Sequence, residues 1–187
     1  MMKRDECLKV IAKHHRDEIV VPVYQAAFEW LAIKPEAANF ISVGAMGQAS
    51  SLALGLALGL PNRRVIVLDG DGSLLMNLGS LVTIANAAPA NLLHFVCENG
   101  TYEANGGHPI PGKGKVNFAG LARAAGYQAA HEFSDLAALD AALPAILRAI
   151  GPVFVDLKVE RGAVYPEDFA YMHGAAAREN FKAAIGK

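Results

Sequence analysis

At 187 residues the chain is long enough to bury one ordinary core and too short for two or three domains. An apolar content of 53% with a formal net charge of −1, and no basic tail or clustered Lys/Arg stripe, excludes the electrostatic footprint of a nucleic-acid binder. Two cysteines, Cys7 and Cys97, give neither a disulfide framework nor metal-ligand spacing, and both read as small core hydrophobes. The longest apolar stretch, Ala49 to Leu60, is about a dozen residues and contains glycines, which is a buried helix rather than a membrane span. The charged opening Met1-Met2-Lys3-Arg4-Asp5-Glu6 is followed by no apolar h-region, so no signal peptide is expected and a reducing cytoplasm fits best.

In chain order, Asp5 to His15 has helical periodicity through Cys7, Leu8, Ile11 and Ala12. Ile19-Val20-Val21 reads as a short strand and Tyr24 to Ala32 as a helix. A strand over Phe40 to Val43 precedes a helix of small residues from Gln48 to Gly59, which Pro61 closes. Val65 to Leu68 is a strand, and Leu74 to Ala87 is helical with an interruption near Gly79. Leu92 to Cys97 is a strand, followed by a Gly/Pro-rich loop from Tyr102 to Lys115. Phe118 to Ala125 is a helix, with a short strand around Tyr127 to Ala130. Leu136 to Ile150 is a helix and Val153 to Leu157 the last clear strand. After Tyr165 and Pro166, a helix starts at Glu167 or Asp168. Strands alternating with helices predict an α/β fold: a doubly wound, mostly parallel sheet with helices on both faces, in one domain over 1–187.

Two tetrads carry the chemistry. Gly70-Asp71-Gly72-Ser73 ends the run Val65-Ile66-Val67-Leu68, and Glu98-Asn99-Gly100-Thr101 ends Leu92 to Cys97. Asp71 and Asn99, 28 residues apart, therefore both stand just past the carboxyl ends of strands, where open α/β sheets bind ligands. A carboxylate, an amide oxygen and a backbone carbonyl suit a hard divalent cation such as Mg²⁺, which completes its shell with phosphate. The glycines beside Asp71 let backbone approach a diphosphate closely. The competing reading is an Asp-Gly turn between strand and helix with Ser73 as the N-cap. Upstream, Gly44-Ala45-Met46-Gly47 follows its own short strand; Met46 taken alone is ordinary core filler.

The stretch from Phe40 to Pro111 resembles the diphosphate-binding (PP) domain of thiamine-diphosphate-dependent decarboxylases. Asp69-Gly70-Asp71-Gly72-Ser73-Leu74-Leu75-Met76-Asn77, with Asn99-Gly100-Thr101-Tyr102 and Gly106-Gly107-His108-Pro109, is similar to the sulfopyruvate decarboxylase β subunit and to phosphonopyruvate decarboxylase. That resemblance implies thiamine diphosphate and Mg²⁺ as cofactors. Asp71 and Asn99 would bind the metal by side chain and Thr101 by its backbone oxygen. Gly70, Gly72 and Ser73 would lie against the diphosphate, with the Gly72 and Ser73 N–H groups donating to it at a helix N-terminus. Met46 would support the bent cofactor, and Gly44 and Gly47 would leave room for its aminopyrimidine.

Two positions depart from the family pattern. Glu98 replaces the usual Asn or Asp, and either tightens cation binding or points into the sheet or solvent. His108 replaces Gln, and is either a catalytic proton donor and anion binder or a solvated loop histidine. Lys113 and Lys115 on the same loop are either contacts for a second anionic group of the substrate or solvated charges.

The resemblance further implies a glutamate, bonded to the aminopyrimidine, on a separate pyrimidine-binding (Pyr) domain. Glu29 and Glu36 lie too early in a PP fold to take that role. The expected partners are therefore a Pyr-domain (α-type) subunit, a second copy of this chain by self-association, and a small 2-oxoacid, with no nucleic acid and no membrane. A sizeable apolar surface is expected around Ala45, Met46 and the Gln48 to Leu60 helix. The expected reaction is 2-oxoacid decarboxylation; an acetolactate-synthase-like carboligation and a non-catalytic regulatory domain are the alternatives.

Overall fold

A computed structural model describes residues 1–36, 38–41 and 46–186. Its centre is a parallel sheet of β1 (Met2–Lys3), β2 (Ile19–Pro22), β3 (Ala38–Asn39), β4 (Val65–Gly70), β5 (Leu92–Glu98), β8 (Ala129–Phe133) and β9 (Val153–Glu160). The spatial order is β3-β2-β4-β5-β9. Both β8 and β1 line the outer edge of β9, β8 along Val153 to Leu157 and β1 beside Val159 and Glu160. A separate antiparallel hairpin joins β6 (Thr101–Tyr102) to β7 (His108–Pro109).

Alternation along the strands divides the core into two layers. On β4, Val65 and Val67 face the layer built with α3 (Ala49–Gly59), α5 (Ser80–Ala87) and α6 (Phe118–Ala125). Ile66 and Leu68 face α1 (Arg4–His14), α2 (Tyr24–Ile33) and α7 (Leu136–Ile146), where Trp30 is fully buried. With both faces covered, central strands have no polar side, which is why they read as continuous apolar runs. The doubly wound α/β architecture predicted from the sequence is the one observed.

Several boundaries differ. The strand expected over Phe40 to Val43 pairs at Ala38–Asn39 instead; Ser42 and Val43 lie outside the described residues. The Asn39 side chain, which accepts from Trp30 Nε1 (2.8 Å) and donates to the Lys34 carbonyl (3.1 Å), fixes this pairing beside Ile19 and Val20. Tyr24, with φ +47°, turns the chain directly from β2 into α2. The Leu74–Ala87 helix begins earlier, as α4 (Asp71–Met76), and breaks before α5. The Gly/Pro-rich loop contains the β6–β7 hairpin. Asp168, not a residue inside the helix, caps α8 (Phe169–His173) by accepting from the Tyr171 N–H; α9 (Ala175–Ala184) follows. Among the described residues no helix is long and apolar enough to cross a membrane.

Candidate active site

After β2 the chain turns outward to β3, whereas after β4 it goes the other way, to β5. The crevice at the carboxyl ends of β2 and β4 is therefore a topological switch point, the place where doubly wound sheets bind ligands. A cleft partly open to solvent lies there. It brings together Met46, Gly70, Asp71, Gly72, Ser73, Asn99 and Thr101 with Val23 to Ala26 from the β2–α2 turn. Gly47 is buried next to it. Gly44 and Ala45 lie outside the described residues.

Asp71 is a buried acid of this cleft, 2% exposed. Its Oδ1 accepts from the Gly72 N–H (2.7 Å) and its Oδ2 from the Gly100 N–H (2.6 Å). Burial pushes its pKa up to about 6; the Gly100 and Gly72 hydrogen bonds oppose the shift, and the charge of Glu98 adds to it. Asn99 Oδ1 accepts from Thr101 N (2.8 Å) and Thr101 Oγ1 (2.9 Å), and its Nδ2 donates to Glu103 Oε2 (3.1 Å). A Cβ placed on Gly70 would meet nothing within 4 Å, so its backbone has open space beside it.

Gly72 is a glycine for a steric reason: a Cβ there would lie 2.6 Å from Tyr102 Cδ1. Ser73 is not the helix cap, because α4 starts at Asp71. Its hydroxyl accepts from the Gly47 N–H (3.0 Å), while Asn77 Nδ2 donates to the Gly47 carbonyl (2.9 Å). Gly47, with φ +83°, needs its conformational freedom, since a Cβ would also stand 3.1 Å from Met76 Cβ. These bonds dock the turn that carries Met46 onto α4.

His108 is exposed on β7, opposite Tyr102 in the hairpin and one strand removed from the cleft wall. Lys113 and Lys115 are exposed as well. Glu98 lies on the sheet, where its Oε2 accepts from Lys158 Nζ (2.5 Å); Lys158 also contacts Asp156 and Glu132.

The sequence did not single out three further groups. Arg4, at the start of α1, reaches the cleft and binds both oxygens of buried Glu29; its Nη1 donates to Glu103 Oε2 (2.5 Å). Burial works against the guanidinium charge, but the bonds to Glu29 and Glu103 outweigh it and raise the pKa. Asp69 lines the cleft floor, its Oδ1 on the Gly70 N–H (2.9 Å) and its Oδ2 3.3 Å from His94 Nε2; His94 Nδ1 is 3.2 Å from the Tyr127 hydroxyl.

The family defined as thiamine pyrophosphate enzyme, C-terminal TPP binding domain, matches residues 23–157. The chain belongs to this family. Across 163 residues it is 36% identical to the sulfopyruvate decarboxylase subunit beta of Methanothermobacter thermautotrophicus, covering 87% of this chain and 84% of that one. It is 38% identical over 157 residues to the phosphonopyruvate decarboxylase of Streptomyces viridochromogenes, covering 83% of this chain but only 39% of that relative. The chain thus spans about two-fifths of the length of that enzyme. The crystal structure of benzoylformate decarboxylase from Polynucleobacter necessarius shares the fold, with a TM-score of 0.69 at 21% identity over 88% of this chain and 34% of that one.

The donor set of this thiamine pyrophosphate family member fits a hard cation shared with a diphosphate. Among the described residues no group of three or more His, Cys, Asp or Glu side chains is arranged to hold a metal. One carboxylate with neutral oxygens is how Mg²⁺ is usually held beside phosphate.

Proposed function

We propose that this chain is the diphosphate- and metal-binding subunit of a thiamine-diphosphate- and Mg²⁺-dependent 2-oxoacid decarboxylase. It forms one PP domain, acts on a sulfopyruvate- or phosphonopyruvate-like substrate in the cytoplasm, and is completed by a separate Pyr-domain subunit. The observation that carries this reading is the buried Asp71 carboxylate at the switch-point cleft, with Asn99 and Thr101 from the next strand end and the unobstructed backbone of Gly70.

Asp71, Asn99 Oδ1 and the Thr101 carbonyl would hold the metal. Gly70, Gly72 and Ser73 would lie against the diphosphate, and Met46, between Gly44 and Gly47, would support the cofactor's bend. When bound, thiamine diphosphate supplies carbanion stabilisation for loss of CO₂; the protein supplies position, electrostatics and exclusion of water. The β7 residue His108 is the candidate proton donor or anion contact, with Lys113 and Lys115 on the same loop.

The need for a partner is supported by apolar side chains left on the surface: Leu58 (56% exposed) and Leu52 on α3, Met76 (52%) after the cleft, and Val82 (61%) on α5. Exposed apolar side chains of this kind are candidates for burial by a partner. Self-association through the same region is part of the proposal.

Co-expression with a Pyr-type subunit and assay on a panel of 2-oxoacids tests the reading. The pair is expected to release CO₂ from an oxoacid bearing a second anionic group, and the chain alone to release none. Full turnover by this chain alone would refute the two-subunit reading. Acetolactate formation without net aldehyde release would place the pair among carboligating enzymes.

A further inference from the structure

The Asn99 carboxamide is held at both ends, and the chemistry of its partners decides which atom faces which way. A carboxylate has no hydrogen to give, so the Asn99 atom facing Glu103 Oε2 must be the NH₂ group. The oxygen then takes the opposite end, where Thr101 donates two hydrogen bonds to it. Glu103 is itself fixed. Arg4 Nη1 donates to the same Oε2, Arg4 Nη2 lies 3.4 Å from Oε1, and Glu29 holds the rest of the guanidinium through Nε and Nη2. Arg161 at the rim adds a contact 3.5 Å from Glu103 Oε1.

We infer that Glu103, anchored by the buried Arg4–Glu29 pair, is a positioning residue that, together with the Thr101 N–H, holds the Asn99 carboxamide in the orientation whose oxygen, not its NH₂, is the end available to a cation in the cleft it shares with Asp71. This rests on the metal site proposed above. An amide turned the other way would present two N–H groups to a positive charge and contribute no ligand. The device spans long separations: 25 residues between Arg4 and Glu29, and 99 between Arg4 and Glu103. It thereby makes the metal site depend on the docking of the first helix. Loss of an outer contact that orients a metal ligand typically costs about 10- to 100-fold in metal affinity.

The test is Mn²⁺ binding to this chain assembled with a Pyr-type subunit, in the presence of thiamine diphosphate, followed by the electron paramagnetic resonance signal of free Mn²⁺, with melting curves to establish folding. Glu103→Leu should weaken Mn²⁺ binding about 10- to 100-fold. Glu103→Gln should stay within about threefold, because its side-chain oxygen can still accept from Asn99 and Arg4. In an Asn99→Leu background, Glu103→Leu should add less than about twofold, since there is no amide left to orient. Additive losses, or equal losses from Glu103→Gln and Glu103→Leu, would overturn the inference. So would a Glu103→Leu chain that binds as the unaltered one does while Asn99→Leu does not; the metal site itself would then stand. If Asn99→Leu also left binding unchanged, or the unaltered assembly bound no Mn²⁺ saturably, the metal site would fall and the inference with it.

Discussion

Gly72→Ala isolates the packing on which the cleft depends. An alanine methyl at this position would sit 2.6 Å from Tyr102 Cδ1, 2.8 Å from Cε1 and 3.4 Å from Ile110 Cγ2. The first two distances are well inside van der Waals contact, so the Tyr102 ring must move. Forcing an extra methyl into packed surroundings costs about 1–3 kcal/mol, and alanine recovers up to about 1 kcal/mol of it as a better helix former than glycine. The net expectation is a loss of about 1–2 kcal/mol, or roughly 2–8 °C in Tm for a chain of this size. Tyr102 directly follows Thr101, which holds Asn99 Oδ1 through both N–H and hydroxyl, so metal affinity should fall as well. Melting curves of Gly72→Ala, Tyr102→Ala and the double variant close a double-mutant cycle. Removing the ring should relieve the clash and leave the double variant more stable than the sum of the single losses, by about 1 kcal/mol or more. Strict additivity would show that Tyr102 is not what Gly72 makes room for.

The pH dependence of Mn²⁺ binding follows from Asp71, whose pKa burial raises to about 6. Below that value a proton competes with the cation for the carboxylate, so apparent affinity should drop about tenfold per pH unit and level off above about pH 7; a flat profile through pH 6 would contradict the assignment. Asn91 Nδ2 reaches the carbonyls of Ala57 (3.0 Å), Leu60 (3.1 Å) and Arg63 (2.7 Å), tying the end of α3 to the start of β4. Denaturant titration of Asn91→Ala should therefore show a loss of about 1–3 kcal/mol from carbonyls left without that donor, and an unchanged midpoint would mean that water replaces it.

The metal-side residues were legible because their signal is local. Asp71 and Asn99 each follow a strand that announces itself as an apolar run, and a parallel sheet puts all such ends on one edge. What the sequence hid depends on distant partners. Arg4 stands in an ordinary charged opening, and only the pairing of β1 with the far end of β9 starts α1 where the guanidinium reaches Glu29 and Glu103. Ser73 looks like a helix cap in any local window; its true partner, the Gly47 N–H, is 26 residues away. The offset of β3 was equally invisible, since it follows the bond between Asn39 and Trp30, nine residues away. The β6–β7 hairpin had a usable signal: Asn105-Gly106-Gly107 is turn chemistry, and both glycines adopt positive φ, +86° and +74°.

The most direct measurement is calorimetric titration of thiamine diphosphate, in excess Mg²⁺, into this chain assembled with a Pyr-type subunit, comparing the unaltered chain with Asp71→Ala. The variant removes the buried carboxylate that would hold the cation, and with it a main protein charge facing the cation–diphosphate pair. The account predicts saturable, Mg²⁺-dependent binding by the unaltered assembly and a loss of about 100-fold or more in affinity for Asp71→Ala, as expected when an ion pair to a buried charge is broken at a cost of about 3 kcal/mol or more. Binding by Asp71→Ala within a few-fold of the unaltered assembly, or binding that ignores Mg²⁺, would contradict it.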